Sequence, residues 1–523
     1  MPPGRPGGLH GTIPGSNPNN YGVDHSLATA LKTRTPIKHL VVIFQENVSF
    51  DHYFATYPNA ANPAGEPSFT PAPNTPQVNN LATAGLLTNN PNSAQPFRLD
   101  RSQSLTCDQN HDYTAEQNAF DGGKMDRFVE STTGSASNSL QYCPKGIVMG
   151  YYDGNTVTAL WNYAQYFAMN DNSFGTVFGP STPGVLNLVA GDTGGALCGN
   201  SAVYKAPAVC SPSTTPALGS TTGTVVGDPD QYYDKCSSGG FGSKNTAAMA
   251  GPNVGDLLNS ANVTWGWFNG GFTNCSASHP TIAYDNMRGV DPSTDTATQT
   301  GDYSAHHEGF QYYASTSNPN HLAPSSTALI GQTDQANHQY DLSSFWTAAD
   351  AGNLPAVSFL KAPKYQDGHA GYSDPLDEQQ FLVDTINHLM MLPSWSSTAI
   401  IISYDDSDGW YDHVPGPIVN RSNTSLDVGC GGTSDGAPAR CGYGPRLPYI
   451  VISPYARTNY VDHTLIDQSS TLRFIEDNWL GFQRINVESF DNKAGSIQAM
   501  FDWTRKSPQN RRLLLNPVTG QRQ

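Results

Sequence analysis

The sequence predicts an α/β fold, a central and mostly parallel sheet flanked by helices, and three observations carry that prediction. Residues 37–44 (IKHLVVIF), 398–404 (TAIIISY) and 447–453 (LPYIVIS) are continuous apolar runs rich in β-branched side chains, the pattern of strands buried on both faces. Segments of helical spacing alternate with them, the element order of a sheet with helical crossovers. Two of the runs end on oxygen-rich pairs, Glu46-Asn47 and Asp405-Asp406. In open α/β sheets ligands bind at that carboxyl edge of the strands.

Residues 1–36 are polar and rich in Gly and Pro, so an extended or partly mobile arm is expected ahead of one domain over 37–523. Residues 56–104 are dense in Pro, Asn, Ala and Thr and read as a surface insertion. Residues 161–167 form a helix or a strand leading to Ser181-Thr182-Pro183. There Pro183 suits a first helical turn, and Ser181 or Thr182 suits its N-cap. Residues 191–252 and 270–302 read as Gly/Ser/Thr/Asn loops that build a cap, while 263–268 and 356–360 read as short strands. In 377–392, Phe381, Leu382, Ile386, Leu389 and Met390 keep helical spacing and stop before Pro393. A last helix is expected over 469–479, capped by Asp467 or Ser469.

Composition narrows the function classes. Charged residues make up 14% of the 523, against roughly 25% in ordinary soluble proteins, and 50 glycines with 38 prolines imply many ordered turns. A hydrophobic share of 37% supports a large core. The formal charge of −17, with no dense basic cluster, argues against a nucleic acid or an anionic membrane surface as partner. A phosphate substrate would then need a local positive centre, a metal ion or histidines. The 8 cysteines contain no C-x-x-C pair and fit disulfides. Cys198 with Cys210 and Cys430 with Cys441 are the first pairs expected, as short staples in loops; the pairing of Cys107, Cys143, Cys236 and Cys275 stays open. No apolar stretch reaches the ~18 residues of a membrane span, and the first residues lack the apolar run of a signal peptide. Together these features suggest the mature form of a secreted or periplasmic protein.

The two strand-end pairs make a chemically sensible site, because carboxylates and an amide carbonyl are hard ligands for Mg²⁺, Ca²⁺ or Mn²⁺. Either pair alone is more simply a turn after a strand. Further along, Glu46-Asn47-Val48-Ser49-Phe50-Asp51-His52 resembles the ENxSFDH motif that opens the bacterial phosphoesterase family, which contains non-specific phospholipases C and AcpA-type acid phosphatases. His111 with Gly122–Asp126, Ser181-Thr182-Pro183, His306-His307, His369, the run YDDSDGWYDH at 404–413 and GPRLP at 444–448 follow in the family's order, over about 37–479.

The resemblance implies an alkaline-phosphatase-like fold and one divalent metal ion held by Glu46, Asn47, Asp405 and Asp406. It places Ser181 at the nucleophile position, two residues before Pro183, with Thr182 as competitor, and His111, His306, His307 and His369 as groups that contact phosphoryl oxygens or move protons. His52, His413, Asp408 and Asp412 are expected to tie the motif loops together. The chain departs from the family at Gly184, where an Asn usually follows the motif proline.

The expected activity is phosphoester hydrolysis through a serine nucleophile, on small phosphate esters in the manner of a broad acid phosphatase. A phospholipase C acting on phospholipid head groups is the alternative, and Trp265-Gly266-Trp267-Phe268 would be its apolar approach surface unless those rings pack in the core. A catalytically inactive surface-binding protein is the reading from another class, marked by lost site residues. Sulfate-ester hydrolysis lacks its cysteine-containing nucleophile motif here.

Overall fold

The computed structural model describes residues 23–205, 222–243, 246–430, 438–505 and 511–523. Its central sheet has eight strands. They are β1 (His39–Gln45), β2 (Ala168–Asn170), β3 (Trp265–Asn269), β4 (Gln339–Asp341), β5 (Val357–Lys361), β6 (Thr398–Tyr404), β7 (Tyr449–Ile452) and β8 (Tyr460–Asp462). The spatial order is β4-β3-β5-β1-β6-β7-β2-β8. All neighbours are parallel except β7, which runs against both β6 and β2. Every residue of β1, β5 and β6 is buried, as their unbroken apolar runs require.

The strand expected over 447–453 is buried too, but its direction is reversed. A parallel return needs a crossover, usually helical. The described residues between β6 and β7 hold no helix, so the chain comes back antiparallel.

Six helices matter for the site: α1 (Phe50–Phe54), α2 (Tyr113–Phe120), α3 (Thr158–Tyr166), α4 (Ser181–Ala190), α5 (Pro375–Met391) and α6 (Ser469–Trp479). Helix α3 packs on α5, and α4 packs on α6. The start of α5 shows how the sequence writes a helix. Asp374 accepts from the N–H groups of Leu376 and Asp377, Pro375 fills the first position, and Asp377 and Glu378 face the positive end of the helix dipole.

The cap is more ordered than its composition suggests. Within 191–252, Gly194–Cys198, Val203–Tyr204, Gly223–Val225 and Ala248–Met249 form a small sheet. Strands this short leave no readable alternation. Residues 23–36, the described part of the expected arm, are tied to the sheet by His39 Nε2 on Asp24 Oδ2 at 3.1 Å. Among the described residues, disulfides join Cys107 to Cys143, Cys236 to Cys275 and Cys430 to Cys441. The expected Cys198–Cys210 pair involves Cys210, which lies outside the described residues. No described helix is long and apolar enough to cross a membrane.

Candidate active site

Strand register sets the site. Gln45 of β1 lies opposite Tyr404 of β6, so Glu46-Asn47 and Asp405-Asp406 leave the sheet on the same rung. The rung is extended by two main-chain bonds, Asp405 N to Gln45 O at 3.2 Å and Val48 N to Asp406 O at 3.0 Å. All four side chains are buried.

Helix α4 enters this rung with Ser181 as its first residue. Its N-cap is Pro180 and no side chain caps it, so the expected capping role of Ser181 or Thr182 is replaced by another. The Ser181 hydroxyl turns into the carboxylates, 3.0 Å from Glu46 Oε2, 3.1 Å from Asp406 Oδ2 and 3.4 Å from Asn47 Oδ1. Thr182 faces elsewhere, with its hydroxyl 3.3 Å from Tyr312 and its N–H on Asp228 Oδ1.

One hydroxyl proton cannot serve three acceptors. Asp405 compounds the surplus: Oδ1 accepts from the N–H groups of Asn47 (2.9 Å) and Asp406 (2.7 Å), but its buried Oδ2 has no partner. Burial and the neighbouring Asp405 push the carboxyls of Glu46 and Asp406 well above their ordinary range. A cluster of hard oxygens short of positive charge suits a divalent cation, and Glu46, Asn47 and Asp406 meet at the Ser181 hydroxyl.

The departure at Gly184 has a steric cause. A Cβ at this position would lie 2.2 Å from the Asp405 carbonyl oxygen, so α4 can rest on the end of β6 only without a side chain. An asparagine has no room on this backbone.

The chain supplies one permanent cation that the sequence reading missed. Lys361, the last residue of β5, is buried and contacts Glu46 Oε1 through its Nζ. Burial opposes its charge, but Glu46, Asp405 and Asp367 outweigh burial and raise its pKa. The signal was present: a lysine directly after the apolar run 356–360, at the same sheet edge as the acid pairs. Glu116 of α2 was also missed. It accepts from Gly179 N at 2.8 Å and from Ser407 Oγ at 2.6 Å, and so ties the loop before the Ser181 helix to the loop after Asp406.

The histidines divide. His111 lies against the cluster, its Nε2 3.3 Å from Asn47 Nδ2 and its Nδ1 3.1 Å from Asp408 Oδ1. Burial disfavours its charge, yet Asp406, Asp408 and Asp108 overcome this and raise its pKa well above the usual value. His369 stands beside it with ring centroids 5.9 Å apart, and burial lowers its pKa to about 4. His307 places Nδ1 3.4 Å from Glu46 Oε1 and is held neutral by burial. His306 turns to Asp230 instead, 3.6 Å from its Oδ1.

The other motif residues build a lock beneath the site. Ser49 caps α1 by accepting from His52 N. Asp51 accepts from His413 N at 2.9 Å, and Asp412 accepts from Asp51 N at 3.1 Å and from Arg446 Nη2 at 3.0 Å. The fully buried Arg446 covers the Phe50 ring at 4.2 Å. His52 stacks on Trp410 at 3.9 Å. Segments more than 350 positions apart are thus fastened beside the rung.

A sequence model of the phosphoesterase family matches residues 37–480. The chain belongs to the phosphoesterase family. Within it, the chain is 24% identical to phospholipase C A of Mycobacterium tuberculosis, over 93% of this chain and 81% of that protein. It is 23% identical to the non-hemolytic phospholipase C of Pseudomonas aeruginosa, over 93% of this chain but 60% of that protein's length. Non-specific phospholipase C3 of Arabidopsis thaliana is 22% identical over 90% of this chain and 74% of its own.

Proposed function

We propose that this phosphoesterase hydrolyses small phosphate monoesters, with Ser181 as nucleophile and one divalent cation held by Glu46, Asn47, Asp405 and Asp406. The observation that supports it most is the Ser181 hydroxyl among three acceptor oxygens, beside an unpartnered Asp405 oxygen. When bound, such a cation lowers the pKa of a nearby hydroxyl and neutralises charge on phosphoryl oxygens.

The chain's own groups account for the rest. Ser181 Oγ passes its proton to Asp406 Oδ2, 3.1 Å away, and forms a bond to phosphorus as the ester oxygen leaves. His111, held protonated by Asp406, Asp408 and Asp108, gives that oxygen its proton. His369, held neutral, takes a proton from the water that cleaves the seryl phosphate; Asp406 returns the serine proton to Oγ as phosphate leaves, and His369 then gives up a proton to solvent while His111 regains one from it. Such divergent environments for two neighbouring titratable groups are the mark of an acid and base pair. Lys361 opposes the rise that burial and Asp405 impose on the Glu46 carboxyl, and its charge replaces part of what water would supply.

A phospholipase C activity is the second reading, favoured by the names of the relatives. Against it, Trp265, Trp267 and Phe268 lie in β3 with no exposure, so the expected apolar approach surface is core. The exposed large apolar side chains, such as Phe241, Met287, Leu322 and Phe482, belong to separate segments. The disulfides fit a secreted or periplasmic site of action.

Phosphate release from p-nitrophenyl phosphate, compared with phosphocholine release from phosphatidylcholine, each with and without chelator, separates these readings. Chelator-sensitive phosphate release that exceeds lipid cleavage is expected. Faster lipid cleavage reverses the assignment, and turnover indifferent to chelator removes the metal.

A further inference from the structure

A cavity of about 470 Å³ opens beside the histidine pair, within the ~300–1,000 Å³ range of small-molecule sites. Asp108, Gln109, Asn110, Ser135, Gln141 and Tyr372 contribute to its walls. Asn110 directly precedes His111, and Ala370, also in the wall, directly follows His369. The wall adjoins the surroundings of the nucleophile: His111 Nε2 is 3.3 Å from Asn47 Nδ2, and Asn47 Oδ1 is 3.4 Å from Ser181 Oγ.

The walls are fixed rather than incidental. The Cys107–Cys143 disulfide joins the segments that carry Asp108 and Gln141. Gln141 Nε2 donates to Gly371 O at 2.7 Å, Gly371 N donates to Thr106 O at 2.8 Å, and Gly134 N donates to Gln109 Oε1 at 2.9 Å. Gly134 packs so closely that a Cβ there would lie 1.8 Å from the Asp108 carbonyl oxygen.

The chemistry of the lining selects among alcohols. Acyl chains would press against hydroxyl, amide and carboxylate groups and strip them of water without compensation. A quaternary ammonium needs an open aromatic face. Tyr372 is engaged already, stacked on His369 at 4.3 Å and covered by the Lys364 ammonium 4.2 Å from its centroid, where a second cation would be repelled. Hydroxyl groups, each both donor and acceptor, match serine, amide and carboxylate partners.

We propose that this cavity is the subsite for the alcohol side of the substrate and takes a neutral polyhydroxylated group, a sugar or a polyol. The inference rests on the phosphoester reading for the reacting group, and adds the class of alcohol attached to it.

The test has a binding arm and a turnover arm. In the first, metal-loaded Ser181→Ala chain is titrated with glucose 6-phosphate, glycerol 3-phosphate, phosphocholine and phenyl phosphate. In the second, kcat/KM is measured for the same esters on wild type, Ser135→Trp and Asp108→Ala. The sugar and polyol phosphates are expected to bind at least fivefold more tightly than phosphocholine or phenyl phosphate. Ser135→Trp, which fills the cavity, is expected to lower kcat/KM for glucose 6-phosphate relative to phenyl phosphate at least tenfold. The exposed Asp108→Ala variant, which threatens folding less, is expected to shift the same ratio threefold or more. Equal binding of all four esters, or an unchanged ratio in both variants, overturns the subsite. If binding favours polyols while wild type turns over no ester, the phosphoester reading fails and the subsite stands.

Discussion

Two acidic clusters lie on the same two chain segments, and they differ in how their charge is met. In the lock, Asp51 and Asp412 face Arg446 and His413, so carboxylates and cations of the chain itself are matched. In the rung, Glu46, Asp405 and Asp406 face Lys361 and His111, and the buried Asp405 Oδ2 has neither hydrogen bond nor ion pair, whereas Asp51 Oδ1 of the lock, also without a hydrogen bond, lies 3.4 Å from Arg446 Nη2. The ligand atoms of Asp51, Asp412 and His413 are close enough together to hold a metal ion, yet Arg446 already supplies the charge. On the proposed reading, what marks a metal site is an unmet deficit of positive charge rather than proximity of carboxylates alone.

The comparison breaks most visibly at Ser181. Ser181→Ala is expected to cut kcat/KM on p-nitrophenyl phosphate by about 10³-fold or more, as removal of a covalent nucleophile does, with the thermal midpoint close to wild type. The lock should behave in the opposite sense. Arg446→Met leaves buried carboxylates without their cation, and a stability loss of about 3–5 kcal/mol is expected by denaturant titration.

Lys361→Met should fall between the two. It removes the rung's own cation, so the expected result is tighter dependence on added metal. The cation concentration needed for half-maximal activity should change by about tenfold, with Lys361→Arg closer to wild type.

The smallest effect is the pH dependence of the lock. Burial opposes the ionisation of Asp51, but His413 and Arg446 prevail and hold its pKa below the usual value. Its contribution to stability is thus present above the ordinary carboxylate range and is lost as pH falls through the folded value. His413 is raised, against the effect of burial, by Asp51, so its contribution is full below its ordinary pKa and fades as pH rises through the folded one. His413→Gln should flatten that alkaline fall in stability, by about 1 kcal/mol.

Much of this was legible in the sequence for physical reasons. The strands of the centre show because burial on both faces forces unbroken apolar runs such as 398–404. The acid pairs show because they stand where those runs stop. What stayed hidden depended on non-local geometry. The reversal of β7 goes with the lack of a helix among the described residues between β6 and β7, and the strands β2, β4 and β8 have three residues each, below any readable period. Gly184 read as a departure with no explanation until α4 was seen resting on the Asp405 carbonyl. His306 and His307 are adjacent in sequence, and only the turn between them shows that one faces Asp230 and the other Glu46.

The central claim is that the rung, and not the lock, takes a divalent cation. Calorimetric titration of Mg²⁺, Mn²⁺ and Ca²⁺ into metal-stripped wild type, Asp405→Asn and Asp412→Asn tests it most directly. One ion per wild-type chain is expected, with affinity reduced by about 30-fold or more in Asp405→Asn and close to wild type in folded Asp412→Asn. Equal affinity in wild type and Asp405→Asn, or a loss confined to Asp412→Asn, would contradict the account.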